Sequence, residues 1–256
     1  LHAFCDIFAS AESDGGWPSQ LVDGKVVSLA KVTSPSSPSD FRPITVFSLL
    51  YRCWSSAQAR HALTLLDSCL PDTLYGSRPG RHAAQIWTRM LWAIEESFVN
   101  QIPMTGAVAD LAKAFNFLPR LVVMELAAHV GIPSRVLLVW TGALTQMKRR
   151  FQLRDSLSAG LRSVTGVPEG CGLSCVAMVL IDVCFHCWMR VFFPLCTPVS
   201  FVDDWQLMTC NPTLLQGAVE TMHRFADAMD LHLDERKAYA WSICPNGRKL
   251  LRNQGF

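Results

Sequence analysis

Charge is scarce in this chain. Only 17% of its 256 residues are Asp, Glu, Lys or Arg, and half are hydrophobic. Such a chain can bury enough apolar surface to offset its ordering entropy, which excludes disorder as its resting state. An excess of one sign is missing too: the net charge of +2 does not by itself advertise a polyanionic partner. There is no internal repeat, and no low-complexity tract beyond one Ser/Pro loop. The first residues carry no basic n-region, apolar h-region and cleavage site, so secretion is not expected. Ten cysteines are present, but only Cys184 and Cys187 have a C-x2-C spacing and no second pair follows at a zinc-binding distance. The expectation is reduced thiols acting as small hydrophobes within apolar runs. The length suits one large domain or two small ones. The start on Leu1 and the end at Phe256, without a capping pattern, read as an excerpt of a longer reading frame or a decayed one.

The greasiest run, Leu173 to Cys196, is long enough to raise the membrane question. Asp182, His186 and Arg190 interrupt it, and charge at mid-span is costly in lipid. A buried core helix is expected, with no membrane partner.

Residues 1–24 are mixed and acidic and receive no assignment. Val26–Lys31 reads as a short strand, followed by the loop Thr33–Asp40. Helical spacing of Leu49, Leu50, Cys53, Trp54 and Ala57 predicts a helix within 46–66. Trp87, Met90, Leu91, Ile94 and Phe98 form one stripe of a helix over 82–99. Met104–Asp110 reads as a strand, 119–130 and 134–147 as helices, and 149–165 as a hairpin. A turn at Gly166–Gly170 opens a helix over 173–193. Pro198–Cys210 reads strand, acidic turn, strand. An amphipathic helix over 213–230 and a strand over 232–243 complete the chain. Short antiparallel strands with packed helices make an α+β fold.

Charge is segregated. Residues 31–90 carry seven Lys/Arg against three acids, and residues 148–162 carry five against one. A groove that tracks a phosphate backbone needs local positive charge of this kind, although basic surface is also an ordinary way to stay solvated.

Three carboxylates stand out. Asp110 ends an apolar strand, and Asp203 and Asp204 sit back to back after Val199-Ser200-Phe201-Val202. An isolated Asp-Asp is ordinarily a solvated turn. Between apolar strands, adjacent carboxylates repel and raise each other's pKa unless a cation intervenes. Hard cations such as Mg²⁺ take carboxylate oxygens together with substrate phosphates. If the Asp110 strand lies beside the Asp203 hairpin, the layout suits two metal ions about 3.5–4 Å apart for phosphoryl transfer.

The order of motifs resembles the reverse transcriptase domain of non-LTR (LINE-type) retrotransposons over roughly 25–243. Lys31 followed by Asp40-Phe41-Arg42-Pro43-Ile44 looks like the family's PK…DYRPI segment. Gly76-Ser77-Arg78-Pro79-Gly80-Arg81 is similar to GFRPGRS, and Ala109-Asp110-Leu111-Ala112-Lys113-Ala114-Phe115-Asn116 to VDLxKAFD. Gly166-Val167-Pro168-Glu169-Gly170-Cys171-Gly172-Leu173-Ser174 is similar to GVPQGCPLS. Phe201-Val202-Asp203-Asp204 matches [FY]xDD, and the segment through Lys237 resembles GLKLNxxKT.

The resemblance implies the fingers and palm of a right-hand polymerase, with an antiparallel palm sheet, a palm core of about 104–243, flanks at 1–24 and 244–256, and little room for a thumb. It implies two Mg²⁺ ions, with Mn²⁺ as a substitute, on Asp110, Asp203 and Asp204. Lys31 and Arg42 would approach the incoming triphosphate. Phe115 would exclude a ribose 2′-hydroxyl, Glu169 and Gly170 would contact the nucleotide, and Lys237 would assist the leaving pyrophosphate. The implied partners are an RNA template, a DNA primer, dNTPs and flanking domains of a longer polyprotein, acting inside the cell and in the nucleus.

Four positions depart from the family pattern. Glu169 stands where the family has Gln, and its carboxylate adds repulsion near a triphosphate. Gly172 and Cys175 replace two prolines, which is expected to loosen the turn. Asn116 replaces an Asp. The leading reading is an RNA-directed DNA polymerase module. The alternative is a catalytically impaired relic that retains the fold and RNA contact.

Overall fold

The computed structural model describes residues 2–254. In chain order they form α1 (His2–Ser13), α2 (Ser19–Val22), β1 (Gly24–Ala30), β2 (Phe41–Val46), α3 (Leu49–Leu66), α4 (Ala83–Val99), β3 (Thr105–Asp110), α5 (Ala114–Phe117), α6 (Arg120–His129), α7 (Ser134–Gln146), β4 (Arg149–Leu153), β5 (Ser156–Leu157), α8 (Leu173–Phe192), β6 (Thr197–Phe201), β7 (Asp204–Thr209), α9 (Leu215–Ala228), β8 (Tyr239–Ser242) and α10 (Pro245–Asn253). The class is α+β. Two units divide the chain: one runs to Ala62 and includes Leu118–Ala177, and the other comprises Leu63–Phe117 and Met178 onward. Residues 118–177 fall in the first unit.

The first unit holds a four-stranded sheet in the order β2-β1-β4-β5. β1 pairs with β2 antiparallel and with β4 in parallel. Its core is aromatic: Trp17, Phe47, Tyr51 and Trp54 are buried and meet edge-on or tilted at 5.1–6.2 Å, geometry that adds to their burial. Ala11, Trp17 and Val22 bring the N-terminal segment into this unit's buried core. Glu12 on α1 accepts hydrogen bonds from Trp54 Nε1 (3.0 Å) and Gln58 Nε2 (2.8 Å) and pairs with Arg135 of α7 (3.2 Å). The stripe on α3 is rotated from the expected one. Tyr51, Trp54, Ser55 and Ala59 are buried, whereas Cys53 and Ala57 face out. The Ser/Pro loop contains one 3₁₀ turn, Pro38–Asp40, capped by the Ser37 hydroxyl.

The second unit holds the antiparallel sheet β6-β7-β3-β8. α9 covers it with Leu215, Ala218, Met222, Phe225 and Ala226, all buried, at the spacing an amphipathic helix requires. β8 is shorter than the strand expected over 232–243, because 234–237 forms a turn. α4 splits its apolar residues. Ile86, Met90, Ala93 and Ile94 pack on Tyr75, Met104 and Val199, while Trp87, Leu91 and Phe98 of the expected stripe remain exposed. α8 is long and apolar enough to cross a membrane by length and composition, yet 56% of that window is buried inside the protein, including Asp182 and His186. The cysteines also differ from expectation. All ten are free, but only Cys171 and Cys196 are buried, and Cys5, Cys53, Cys69, Cys187 and Cys210 are exposed.

Gly170 anchors the loop that enters α8. Its φ is +122°, and a Cβ there would collide with the Thr45 carbonyl of β2. Thr45 N in turn donates to the Glu169 carbonyl at 2.7 Å. Gly170→Ala combines a conformation that L-residues avoid with a backbone clash. It is expected to destabilise the chain by about 2 kcal/mol or more, read as a lowered urea midpoint. An unchanged midpoint would show that this loop does not depend on the close approach.

Candidate functional site

The antiparallel register of β3 and β7 decides which acidic residues meet. Asp110 lies opposite Asp204, and Ala109 opposite Trp205. β6 and β7 form a hairpin closed by the pair Phe201–Asp204, with Val202 and Asp203 as its two-residue loop. Because strand side chains alternate between faces, Asp110 and Asp204 share one face of the sheet, and Ala109, Trp205 and Ser200 share the other.

The loop is strained. Val202 has φ +58°, a left-handed conformation that costs a β-branched residue about 1–2 kcal/mol. Positive φ at the first loop residue alone is the pattern of a type II′ hairpin turn, where glycine is preferred. The neighbouring backbone holds Val202 in place. Ser200 N donates to Thr73 O (3.0 Å), Tyr75 N donates to Ser200 O (2.9 Å), and Gly76 lies so close that a Cβ would strike Val202 N.

Asp110 is fixed from several sides. Its carbonyl accepts from Asp234 N (2.8 Å), and the next residue, Leu111, donates its N–H to Asp203 O (2.9 Å). The turn after α9 delivers Lys237, whose Nζ lies 2.6 Å from Asp110 Oδ2. That ion pair raises the Lys237 pKa, with the hydrogen bond to Asp110 as the first cause. Asp204 is the exposed member of the three by surface area. Its carboxyl is nevertheless pushed up to about 6, first by burial, then by the charges of Asp203 and Asp110 and a hydrogen-bonding contact with Asp110. Phe115, on the short α5 that follows Asp110, is partly exposed and not a core residue.

The structure thus brings Asp110, Asp203, Asp204 and Lys237 together. Lys31, Arg42, Glu169 and Gly170 belong to the first unit. There Arg42 on β2 is exposed and opposite Leu29, Lys31 Nζ donates to Ser39 O (3.3 Å), and Glu169–Gly170 pack against Thr45. Among the described residues, no three His, Cys, Asp or Glu side chains already converge as a metal-binding group. The donor chemistry nonetheless fits a divalent cation. The three carboxyls offer hard oxygen ligands, and after burial the next contribution to the upward shift at Asp204 is like-charge repulsion from Asp203 and Asp110, which a cation would relieve. A cavity of about 670 Å³, lined by residues including Phe98, Ile102, Ile243 and Leu250, contains none of these acids.

Sequence reasoning missed the residues that support the site. Gly76 was noticed as part of a motif, but nothing in its spacing shows that it underlies Val202. Asp234, which fixes Asp110 through backbone, carries no side-chain signature of that role. Asp182 was noticed only as an interruption of an apolar run, which was itself the available signal.

The family model described as reverse transcriptase (RNA-dependent DNA polymerase) matches residues 30–248. No curated protein matches the chain. Among solved structures, the chain is similar to telomerase from Candida tropicalis in complex with a TWJ fragment of telomeric RNA, with a TM-score of 0.68 at 12% identity over 95% of this chain and 45% of that one. It is also similar to apo telomerase from Candida tropicalis truncated from its C-terminal domain (0.63, 12%, 93% and 54%). A third match is telomerase from Candida albicans with a TWJ fragment of telomeric RNA (0.62, 11%, 92% and 45%). The chain spans about half the length of these structures.

The pH dependence of stability tests the raised Asp204 pKa. With a folded pKa of about 6 against 3.8, folded Asp204 holds a proton that the unfolded chain releases. Its contribution is therefore greatest below pH 3.8 and is lost as pH rises through about 6. Asp204→Asn removes this loss. Its Tm relative to the parent should climb between about pH 4 and pH 6 and level off above, and millimolar Mg²⁺ should narrow the gap at pH 7. A difference that does not vary with pH would contradict the raised Asp204 pKa.

Proposed function

The chain belongs to the reverse transcriptase (RNA-dependent DNA polymerase) family, and from that premise we propose that it is the catalytic module of an RNA-directed DNA polymerase of the non-LTR retrotransposon type. The observation that carries the reading is the cross-strand pair Asp110–Asp204 beside Asp203, with Lys237 on Asp110. The antiparallel sheet that bears it would be the palm, and β1 and β2 with their loop would be part of the fingers. Template RNA, primer DNA and dNTPs would be its partners, with nuclear action and further domains of a longer polyprotein.

In the reaction, the primer 3′-oxygen attacks the α-phosphorus of a dNTP. The bond to the β-phosphate oxygen breaks, pyrophosphate leaves, and the hydroxyl proton passes to solvent. Asp110, Asp203 and Asp204 would hold two divalent cations, Mg²⁺ or Mn²⁺, which when bound supply Lewis acidity to the attacking and leaving oxygens. Lys237 is 60% exposed and tethered only at its tip, so its ammonium can turn from Asp110 toward the leaving phosphates. Arg42 and Lys31 would neutralise the triphosphate. Phe115, partly exposed on the turn after Asp110, would present its ring to the sugar and select against a 2′-hydroxyl. Glu169 and Gly170 would border the nucleotide, Gly170 by backbone.

A second reading has its own support. Glu169 stands where the family has Gln and adds a carboxylate to a segment that the resemblance assigns to nucleotide contact. That charge suits a relic that binds RNA without chemistry.

Primer extension on an RNA template with dNTPs and Mg²⁺ or Mn²⁺ separates the two. The parent chain should extend the primer, and Asp203→Asn should lose about a hundredfold or more in rate. Phe115→Val should raise ribonucleotide incorporation relative to dNTPs by about tenfold. Salt-sensitive RNA binding without any extension would establish the relic instead.

A further inference from the structure

Beneath the acidic face of the sheet lies a buried polar chain that the proposed chemistry does not use. Asp182, in the middle of α8, is fully buried. Its Oδ1 accepts from Trp205 Nε1 at 2.8 Å, while Oδ2 has no hydrogen-bond partner at normal geometry. Ser200, also fully buried, sits opposite Trp205 across the hairpin and close to the Asp182 carboxyl. The Ser200 hydroxyl meets His186 Nε2 at 3.0 Å, and His186 Nδ1 meets Thr73 Oγ1 at 3.2 Å. Trp205 is stacked on Phe185 of the same helix, with centroids 4.2 Å apart and planes at 6°.

A carboxyl placed inside an apolar helix is expensive, and its cost is reduced only by what it binds. What Asp182 binds is informative. Trp205 directly follows Asp204, and Ser200 lies three residues before Asp203. The two belong to the two strands that carry the strained Val202–Asp203 loop, on the opposite face of the pleat from Asp110 and Asp204. We propose that Asp182 is a positioning residue. Through Trp205 on β7 and Ser200 on β6 it fixes the depth and register of the hairpin, so that Asp203 and Asp204 present their oxygens beside Asp110. Burial pushes the Asp182 carboxyl well above the usual carboxylate range. Its Oδ1 accepts the indole N–H of Trp205, and the Ser200 hydroxyl lies beside the same carboxyl. His186, with a pKa lowered to about 4 by burial, is a neutral imidazole that joins Ser200 to Thr73 from the other side.

This inference rests on the acidic cluster being a cation site, so its test reads cation binding directly, apart from polymerisation. Mn²⁺ binding to this chain would be followed by electron paramagnetic resonance without primer or dNTP, for the parent and for Asp182→Asn, Asp182→Leu and Trp205→Phe, with folding checked by near-ultraviolet circular dichroism. Asparagine keeps an acceptor for Trp205 and a polar group beside Ser200. It should bind Mn²⁺ within about twofold of the parent, whereas the Leu and Phe variants should bind about tenfold or more weakly, as is usual when support behind metal ligands is removed. A merely structural role would lower the number of competent molecules and leave the Kd of the folded fraction unchanged. A folded Asp182→Leu with parental Kd would overturn the proposal, and so would an Asp182→Asn as weak as Asp182→Leu. Parental Mn²⁺ binding without primer extension would count against the polymerase reading alone, leaving the positioning role to be decided by the variants. No binding by the parent would sink both.

Discussion

The register between β3 and β7 is the constraint on which the candidate site depends. It sets Asp110 against Asp204 and leaves only the closing loop to place Asp203. A slip by one residue would turn every side chain of one strand to the other face. The buried positions prevent that slip. Ala107 and Ala109 on β3 and Trp205 and Leu207 on β7 are all at most 5% exposed. Moving Trp205 to the acidic face would expose a fully packed indole and break its bond to Asp182. The apolar face thus specifies the polar one, and the carboxylates need no attraction of their own to be brought together.

They are in fact brought together against their own preference. Asp204 carries an upward shift, first from burial and then from its acidic neighbours, and Val202 stands in a conformation that valine avoids. Strain and like-charge crowding at one turn persist only where the surroundings over-determine the geometry. Three supports meet there: the backbone of 73–76 alongside β6, the ion pair from Lys237, and the buried chain through Ser200 and Trp205. A stable protein has no use for this arrangement as such, so its cost is evidence of function in the sense that local rules fail where chemistry is done. Lys237 partly neutralises the cluster through its ion pair with Asp110.

Much of this was legible in the sequence, for identifiable reasons. β3, the β6–β7 hairpin, α8 and α9 were readable because alternation, acidic turn residues and long helical periodicity are local signals. The α+β class followed from them. The parallel pairing of β1 with β4 was not readable, because it joins Val26 to Phe151 and no local pattern encodes a partner that remote. The α4 stripe was half misplaced for a different reason. Trp87, Leu91 and Phe98 have helical spacing, but apolar residues surround that helix, and periodicity alone does not say which arc faces the core. The five exposed cysteines show the same limit: neighbouring hydrophobic residues in sequence do not mean burial when a helix turns each residue by a hundred degrees. α1 was missed because an acidic amphipathic helix docked by one carboxylate, Glu12 on Trp54, Gln58 and Arg135, looks like an unstructured flank until its partners are placed.

The departures from the family's motif residues bear on whether the chain is a module or a relic. Gly172, expected to loosen its turn, instead lies against α3, where a Cβ would sit 2.7 Å from Ser56 Cα. Its N–H donates to the buried Ser55 hydroxyl at 3.3 Å, a bond proline could not make. The site is therefore fitted to glycine on both sides. Asn116 N closes the turn after Asp110 by donating to Lys113 O at 2.9 Å, a backbone role that its side chain does not affect. Glu169 serves β2 through its carbonyl, a backbone bond that either an amide or a carboxylate side chain permits, and the exchange adds a negative charge. The burden of the relic reading thus falls on that one side chain and on how readily the three carboxyls close on a cation. Both are electrostatic questions, and neither concerns the integrity of the fold, whose contacts have adjusted to the residues present.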